Sequence, residues 1–185
     1  MRKLLQITAA AVFITLIFFV VDLIVGWSEE SRVTTFEECV EAGNPVMESY
    51  PRQCRTRSGE HFIEYIGNEL EKVDLIRISA PRPNGRIVSP LEIAGEARGY
   101  WFFEASFPVV LTDWDGRIIA EHYAEANGEW MTEGFVPFES TLEFERPYDV
   151  GDPEFMKRGT LILKRHNASG LQQYDDALEI PVVFE

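Results

Sequence analysis

Chemistry-bearing residues are scarce in this chain. Two cysteines and three histidines leave little for a metal site. The histidines, His61, His122 and His166, are not spaced as a ligand pair, and no H-E-x-x-H occurs. No G-x-S-x-G, P-loop or G-x-G-x-x-G is present, so neither a nucleophile elbow nor a phosphate cradle can be placed. A glycosidase needs two carboxylates, which any acidic chain has, so their presence carries no weight. Basic residues are in deficit, 17 Lys and Arg against 31 Asp and Glu, for a net charge of −14. That balance argues against nucleic acid, which demands a basic patch, and against simple charge attraction to an anionic membrane surface or wall polymer. What the chain does have is 45% hydrophobic residues, enough to build a core.

The N-terminus reads as a membrane-targeting segment. Arg2 and Lys3 precede the apolar run Leu4–Val21; Asp22 follows, then Leu23–Trp27. The run is longer than a signal-peptide core and just long enough to span a bilayer with Asp22 near the outer interface. Positive residues before it and Glu29 and Glu30 after it predict an inside N-terminus and an extracytoplasmic C-terminal part. Residues 1–27 are thus expected to be an uncleaved signal anchor, with a cleaved signal as the alternative, and the protein a single-pass membrane protein or, failing that, a secreted one. Without Arg2, Lys3 and Asp22, which together carry +1, the net charge moves from −14 to −15.

Residues 28–35 read as a polar linker and 36–66 as a small unit holding both cysteines. In an oxidising compartment Cys39 and Cys54 should pair. Closing a loop of this size stabilises by roughly 3 kcal/mol in the chain-entropy model, which matters for a segment too short to build its own core.

Residues 67–72 read as a charged linker, and 73–185 as all-β. Strands are expected at 73–79, 91–97, 100–111, 117–125, 141–145, 160–165 and 178–184, most with period-two alternation. Leu91, Ile93, Gly95 and Ala97 share one face, as do Leu178, Ile180, Val182 and Phe184. Asn84-Gly85, Asp113-Trp-Asp-Gly116, Asn127-Gly128 and Ala168-Ser-Gly170 supply turns. About seven short strands so separated are the pattern of a β-sandwich.

Several stretches carry a family signature: Ser89-Pro-Leu-Glu-Ile-Ala-Gly95, Ala97-Arg-Gly99, Trp101-Phe-Phe-Glu-Ala-Ser-Phe107, Gly128-Glu-Trp130, Gly159-Thr-Leu-Ile-Leu163, Asn167-Ala-Ser-Gly170 and the run Asp175–Phe184. Over residues of about 75–185 the chain resembles the immunoglobulin-like domain of bacterial spore germination proteins. The resemblance implies an immunoglobulin-like sandwich and no catalytic residues. The domain usually found beside it in germination and sporulation proteins is absent, so the germination role is not carried over. In its place Cys39-x-x-Ala-Gly-Asn-Pro-Val and Tyr50-Pro-Arg-Gln-Cys54, with Gly59-x-x-Phe62, resemble a two-cysteine motif of small exported bacterial proteins.

The candidate site follows from alternation along 100–111. Trp101, Phe103, Ala105, Phe107, Val109 and Leu111 would face the core, leaving Tyr100, Phe102 and Glu104 on the other side. An exposed aromatic pair beside a carboxylate suits a protein or sugar contact; the alternative is coverage by the long connection 126–139, which holds Trp130, Phe135 and Phe138. Tyr100, Phe102, Glu104, Trp130 and Phe135 are therefore the expected contact residues. The expected partner is another cell-envelope protein or, alternatively, wall polysaccharide. No cofactor is expected, unless Asp149, Asp152, Asp175 and Asp176 gather to hold Ca²⁺. Asp113-Trp-Asp-Gly116 and Asn167-Ala-Ser169 read as plain turns, the second despite its glycosylation sequon.

Overall fold

The computed structural model describes residues 33–185. The expected anchor, residues 1–27, and most of the first linker lie outside them. No helix among the described residues is long and apolar enough to cross a membrane. The described residues fall into two compact units, one ending at Glu64 and the other spanning Tyr65–Glu185.

In the first unit a short helix, Phe36–Glu41, precedes strands β1 (Val46–Met47), β2 (Gln53–Arg55) and β3 (His61–Ile63), which form an antiparallel sheet. Thr35 caps the helix by accepting the Glu38 N–H at 3.1 Å, and Glu38 reaches back to the Thr34 N–H at 2.7 Å. Hydrogen bonds from Thr34 hold the Glu38 carboxyl below its ordinary range. Phe36 and Cys39 lie one turn apart on the buried side, and a Cys39–Cys54 disulfide pins the helix to β2. Arg52 grips the buried Glu64 with two nitrogens, at 2.6 and 2.8 Å.

The second unit begins with a helical turn, Glu69–Lys72, in the stretch expected as a linker. Eight strands follow: β4 (Ile76–Ala80), β5 (Gly85–Ile87), β6 (Leu91–Arg98), β7 (Ser106–Asp113), β8 (Ile118–Ala126), β9 (Phe135–Leu142), β10 (Arg158–Lys164) and β11 (Ala177–Phe184). They hydrogen-bond in the order β4-β6-β9-β8-β7-β10-β11-β5. The β8–β9 link is short, only Glu125 with Glu139 and Ala126 with Phe138. It acts as the corner between a three-stranded and a five-stranded layer packed face to face. Phe107 of one layer meets Phe138 of the other edge-on, 5.0 Å between centroids.

The inward residues are those the alternation requires. Leu91, Ile93 and Ala97 on β6 face Leu161 and Leu163 on β10 and Leu178, Ile180, Val182 and Phe184 on β11 in one core. Gly95 breaks the series for a steric reason. It pairs with Phe138, and a Cβ at residue 95 would lie 2.6 Å from that ring.

Two strands escape the sequence pattern. β5 is too short to show a period. β9 starts at Phe135, inside the expected connection, because Pro137 hides it. Proline is tolerated there because β6 pairs on one side while, on the other, only the Asn127 N–H reaches the Pro137 carbonyl, at 2.7 Å. β9 also ends at Leu142 instead of continuing to 145.

The outer edge of β11 is covered in sequence by two asparagines and a strand. Asn68 donates its backbone N–H to Glu179 O and its side-chain amide to Ala177 O, and accepts the Glu179 N–H. Asn84 donates its backbone N–H to Pro181 O, and β5 pairs with Val182–Phe184. Glu69 is buried beside Arg82, 3.1 Å away; burial raises its carboxyl above the ordinary range although the guanidinium pulls the other way.

Candidate functional site

The connection from β6 to β7 is not a strand. Gly99–Trp101 form a turn of 3-10 helix. Phe103 and Ser106 then close a tight hairpin, each donating its N–H to the other's carbonyl at 2.9 and 3.1 Å. The two residues between them, Glu104 and Ala105, sit at φ +51° and +61°. Two successive left-handed residues make a turn whose twist matches the flanking strands, and such turns ordinarily take Asn-Gly. Here neither residue is glycine, and each left-handed conformation costs about 1 kcal/mol or more. The site is held by its surroundings against local preference.

This geometry corrects the expected facing. The 3-10 turn sends two consecutive side chains inward: Trp101 is 0% and Phe102 4% exposed. Phe102 packs on Phe107 at 5.2 Å and belongs to the core, not to a contact surface. Phe103, expected in the core, is 42% exposed, and Tyr100, expected outside, is 52% exposed. Period-two reading fails because strand geometry begins only at Ser106. The exposed pair is Tyr100 and Phe103, with Glu104 beside them.

The connecting loops at this end of the sandwich support the turn. His166, just after β10, donates its N–H to the Trp101 carbonyl at 3.1 Å, and its ring stacks on Phe103 at 4.6 Å and 17°. Ala126 donates its N–H to Ala105 O at 2.8 Å, and Gly99 donates to Gly134 O at 3.1 Å. Trp130 is half-buried against the core. Phe135 lies under two guanidinium groups, with Arg77 at 4.1 Å and Arg98 at 4.2 Å from its centroid. Phe135 and Trp130 thus serve to fix the turn, while Tyr100, Phe103 and Glu104 present it. Sequence reasoning missed Phe103 and His166, since no local signature marks a left-handed Glu-Ala pair.

Gly99 is the hinge of this packing. A Cβ there would stand 1.9 Å from Thr132 O and 2.3 Å from Trp130 O. Gly99→Ala is expected to push the 130–134 loop off the turn at a cost of about 3 kcal/mol, the upper range for overpacking. A red-shifted Trp emission with a lowered melting temperature would report it; unchanged emission would show that the loop adapts.

The remaining candidates are accounted for. Asp113 Oδ1 accepts the N–H groups of Asp115 and Arg117, and Oδ2 accepts Arg117 Nε at 3.0 Å, so the Asp113–Gly116 segment is a self-satisfied hairpin turn. Asn167 uses its amide on Leu171 O and Asp175 Oδ1 and its oxygen on Ser169, holding a turn. The four aspartates do not gather: Asp149 and Asp152 precede β10 and Asp175 and Asp176 follow it, at opposite ends of the sandwich. Among the described residues no three His, Cys, Asp or Glu side chains converge as a metal site would need.

No curated protein and no solved structure matches the chain. A family model described as the immunoglobulin-like domain of bacterial spore germination matches residues 75–154. The match takes in β4 to β9 and includes the turn just described. β10 and β11, beyond it, pair with β7 and with each other and supply Leu161, Leu163, Leu178 and Ile180 to the same core. Over residues 75–154 the sandwich is similar to the immunoglobulin-like domain of bacterial spore germination.

Proposed function

We propose that the protein is a non-enzymatic, extracytoplasmic module of the bacterial cell envelope that docks on another envelope protein through the Tyr100–Glu104 turn. The observation that carries this reading is the strained turn itself. Two left-handed residues that are not glycine, Glu104 and Ala105, hold a turn that leaves two aromatic rings, Tyr100 and Phe103, about half exposed. Rings fixed in this way lose little entropy on binding, which is why aromatic anchors dominate protein contacts. The disulfide supports an oxidising compartment. A single-pass membrane location rests on the apolar run before residue 28.

Wall polysaccharide is the competing ligand. Binding through sugar stacking would be displaced by wall fragments and tolerate salt, whereas a contact between Glu104 and a basic protein patch weakens as ionic strength rises. The double variant Tyr100→Ala, Phe103→Ala is expected to keep the native melting temperature to within a few degrees, because both rings are exposed. It should lower partner capture by about tenfold or more, as loss of interface anchors does. Unchanged capture by this folded variant would refute the assignment.

A further inference from the structure

β8 has a strand partner along only part of one side. β7 pairs with it from Ile118 to Glu125, but β9 meets it at Glu125 and Ala126 alone. From residue 118 to 124 the side away from β7 is an open strand edge. The layers part there into a groove of about 470 Å³. The orientation of the edge can be read from one contact. Ser140 on β9 donates its hydroxyl to Tyr123 O at 2.9 Å, so Tyr123 turns its carbonyl away from β7. By ladder alternation Glu121, two residues earlier, aims its N–H and C=O into the same opening. Residues 121, 123 and 125 also share the outer face.

The groove is lined by the carboxylates Glu125 of β8, Glu139 of β9 and Glu92 of β6, with His122 among them, and Glu121 follows beyond the lining on the same open edge of β8. Glu121, Glu125 and Glu139 make no salt bridge among the described residues, and Glu92 accepts only the Thr141 hydroxyl. Natural sheets guard open edges, and here the outer edge of β11 is covered while that of β8 is not. A second copy of the chain would set Glu121 and Glu125 against their own counterparts, and like charges facing across strands are unfavourable.

We infer that the open edge of β8 receives an extended, lysine- or arginine-bearing peptide segment of a partner protein, added as a strand along β8 where β9 has diverged from it. Main-chain bonds to Glu121 and Tyr123 would supply register, and the four carboxylates would select the charge. This surface is separate from the Tyr100–Glu104 turn and does not depend on its role.

The test uses the full-length chain in zwitterionic micelles and a capped peptide of alternating lysine and valine, about eight residues long as strands usually are. Amide hydrogen exchange is followed by NMR, with the alternating glutamate–valine peptide as control. The lysine peptide should slow exchange of the Glu121 and Tyr123 amides, the glutamate peptide should not, and affinity should fall as salt is raised from about 0.1 to about 0.5 M. Glu121→Lys with Glu139→Lys should weaken the dissociation constant by about tenfold or more, through reversal of two facing charges. Glu121→Pro, which removes an N–H offered only to the ligand, should abolish binding while the melting temperature holds. The inference is overturned if the lysine peptide does not bind, if both peptides bind alike, or if protection appears elsewhere. It is equally overturned if the same amides are protected without peptide in a dimer seen by sedimentation. Should Glu121→Pro fail to fold, the charge-reversed variant decides alone.

Discussion

Replacing Cys39 and Cys54 by serine is expected to unfold the first unit while the β-sandwich keeps its own thermal transition. The reason is the size of the core. Its buried members are Phe36, Cys39 and Cys54, with Val33 and Phe62 packed at the rim, so the two cysteines are most of what the helix and β2 share. The strands around them are two or three residues long and cannot hold a sheet by pairing alone. The cross-link removes roughly 3 kcal/mol of loop freedom from the unfolded chain, comparable with all the stability such a unit can have. The Arg52–Glu64 pair cannot take over. Once the packing around it loosens, it becomes an exposed ion pair worth about 1 kcal/mol or less. Amide exchange of residues 36–63 should rise to the unprotected rate in the double serine variant, and in the wild type under reductant. Retained protection would mean that the helix and the three strands fold without their bridge.

Trp101→Ala is expected to cost the sandwich about 3–5 kcal/mol, the largest single-residue loss we foresee there. The indole is fully buried where the 3-10 turn enters the core, and the adjoining carbonyl holds the His166 N–H. Its removal leaves a cavity and loosens the support under Phe103 together. Trp101→Phe is a different case. Among the described residues the indole N–H has no hydrogen-bond partner, and burying such a donor costs about 1–3 kcal/mol, which phenylalanine recovers. The phenylalanine variant should therefore lose well under half as much as the alanine variant in equilibrium denaturation. Equal losses would show that the N–H is satisfied and that its hydrogen bond matters more than the ring's volume.

Much of the sandwich is legible in the sequence because its strands carry a clean period of two. Leu91, Ile93 and Ala97, or Leu178, Ile180, Val182 and Phe184, point inward as a strict alternation demands. The family signature reaches the same architecture by another route, and the matched residues 75–154 agree with it. That the β6–β7 and β8–β9 connections meet was legible in the sequence; the facing of their side chains was not. Tyr100, Glu104, Trp130 and Phe135 do converge on one end, since the β6–β7 and β8–β9 connections must meet there. Phe102 and Phe103 exchange roles because a 3-10 turn and two left-handed residues intervene. Glu104 and Ala105 have no intrinsic preference for that conformation; tertiary contacts from Ala126 and His166 impose it, and a local pattern carries no trace of them. Pro137 conceals β9 for a similar reason, being tolerated only where the neighbouring strand has already parted.

The most direct test of the docking turn is photo-crosslinking in the native host, with a benzophenone amino acid at Phe103 and a control at the exposed Glu143, which follows β9 at the opposite end. A discrete protein adduct at residue 103 and none at 143 is the result expected of a partner-binding turn, and the adduct identifies the partner. Adducts to wall glycan alone, equal labelling at both positions, or no adduct at residue 103 would contradict it.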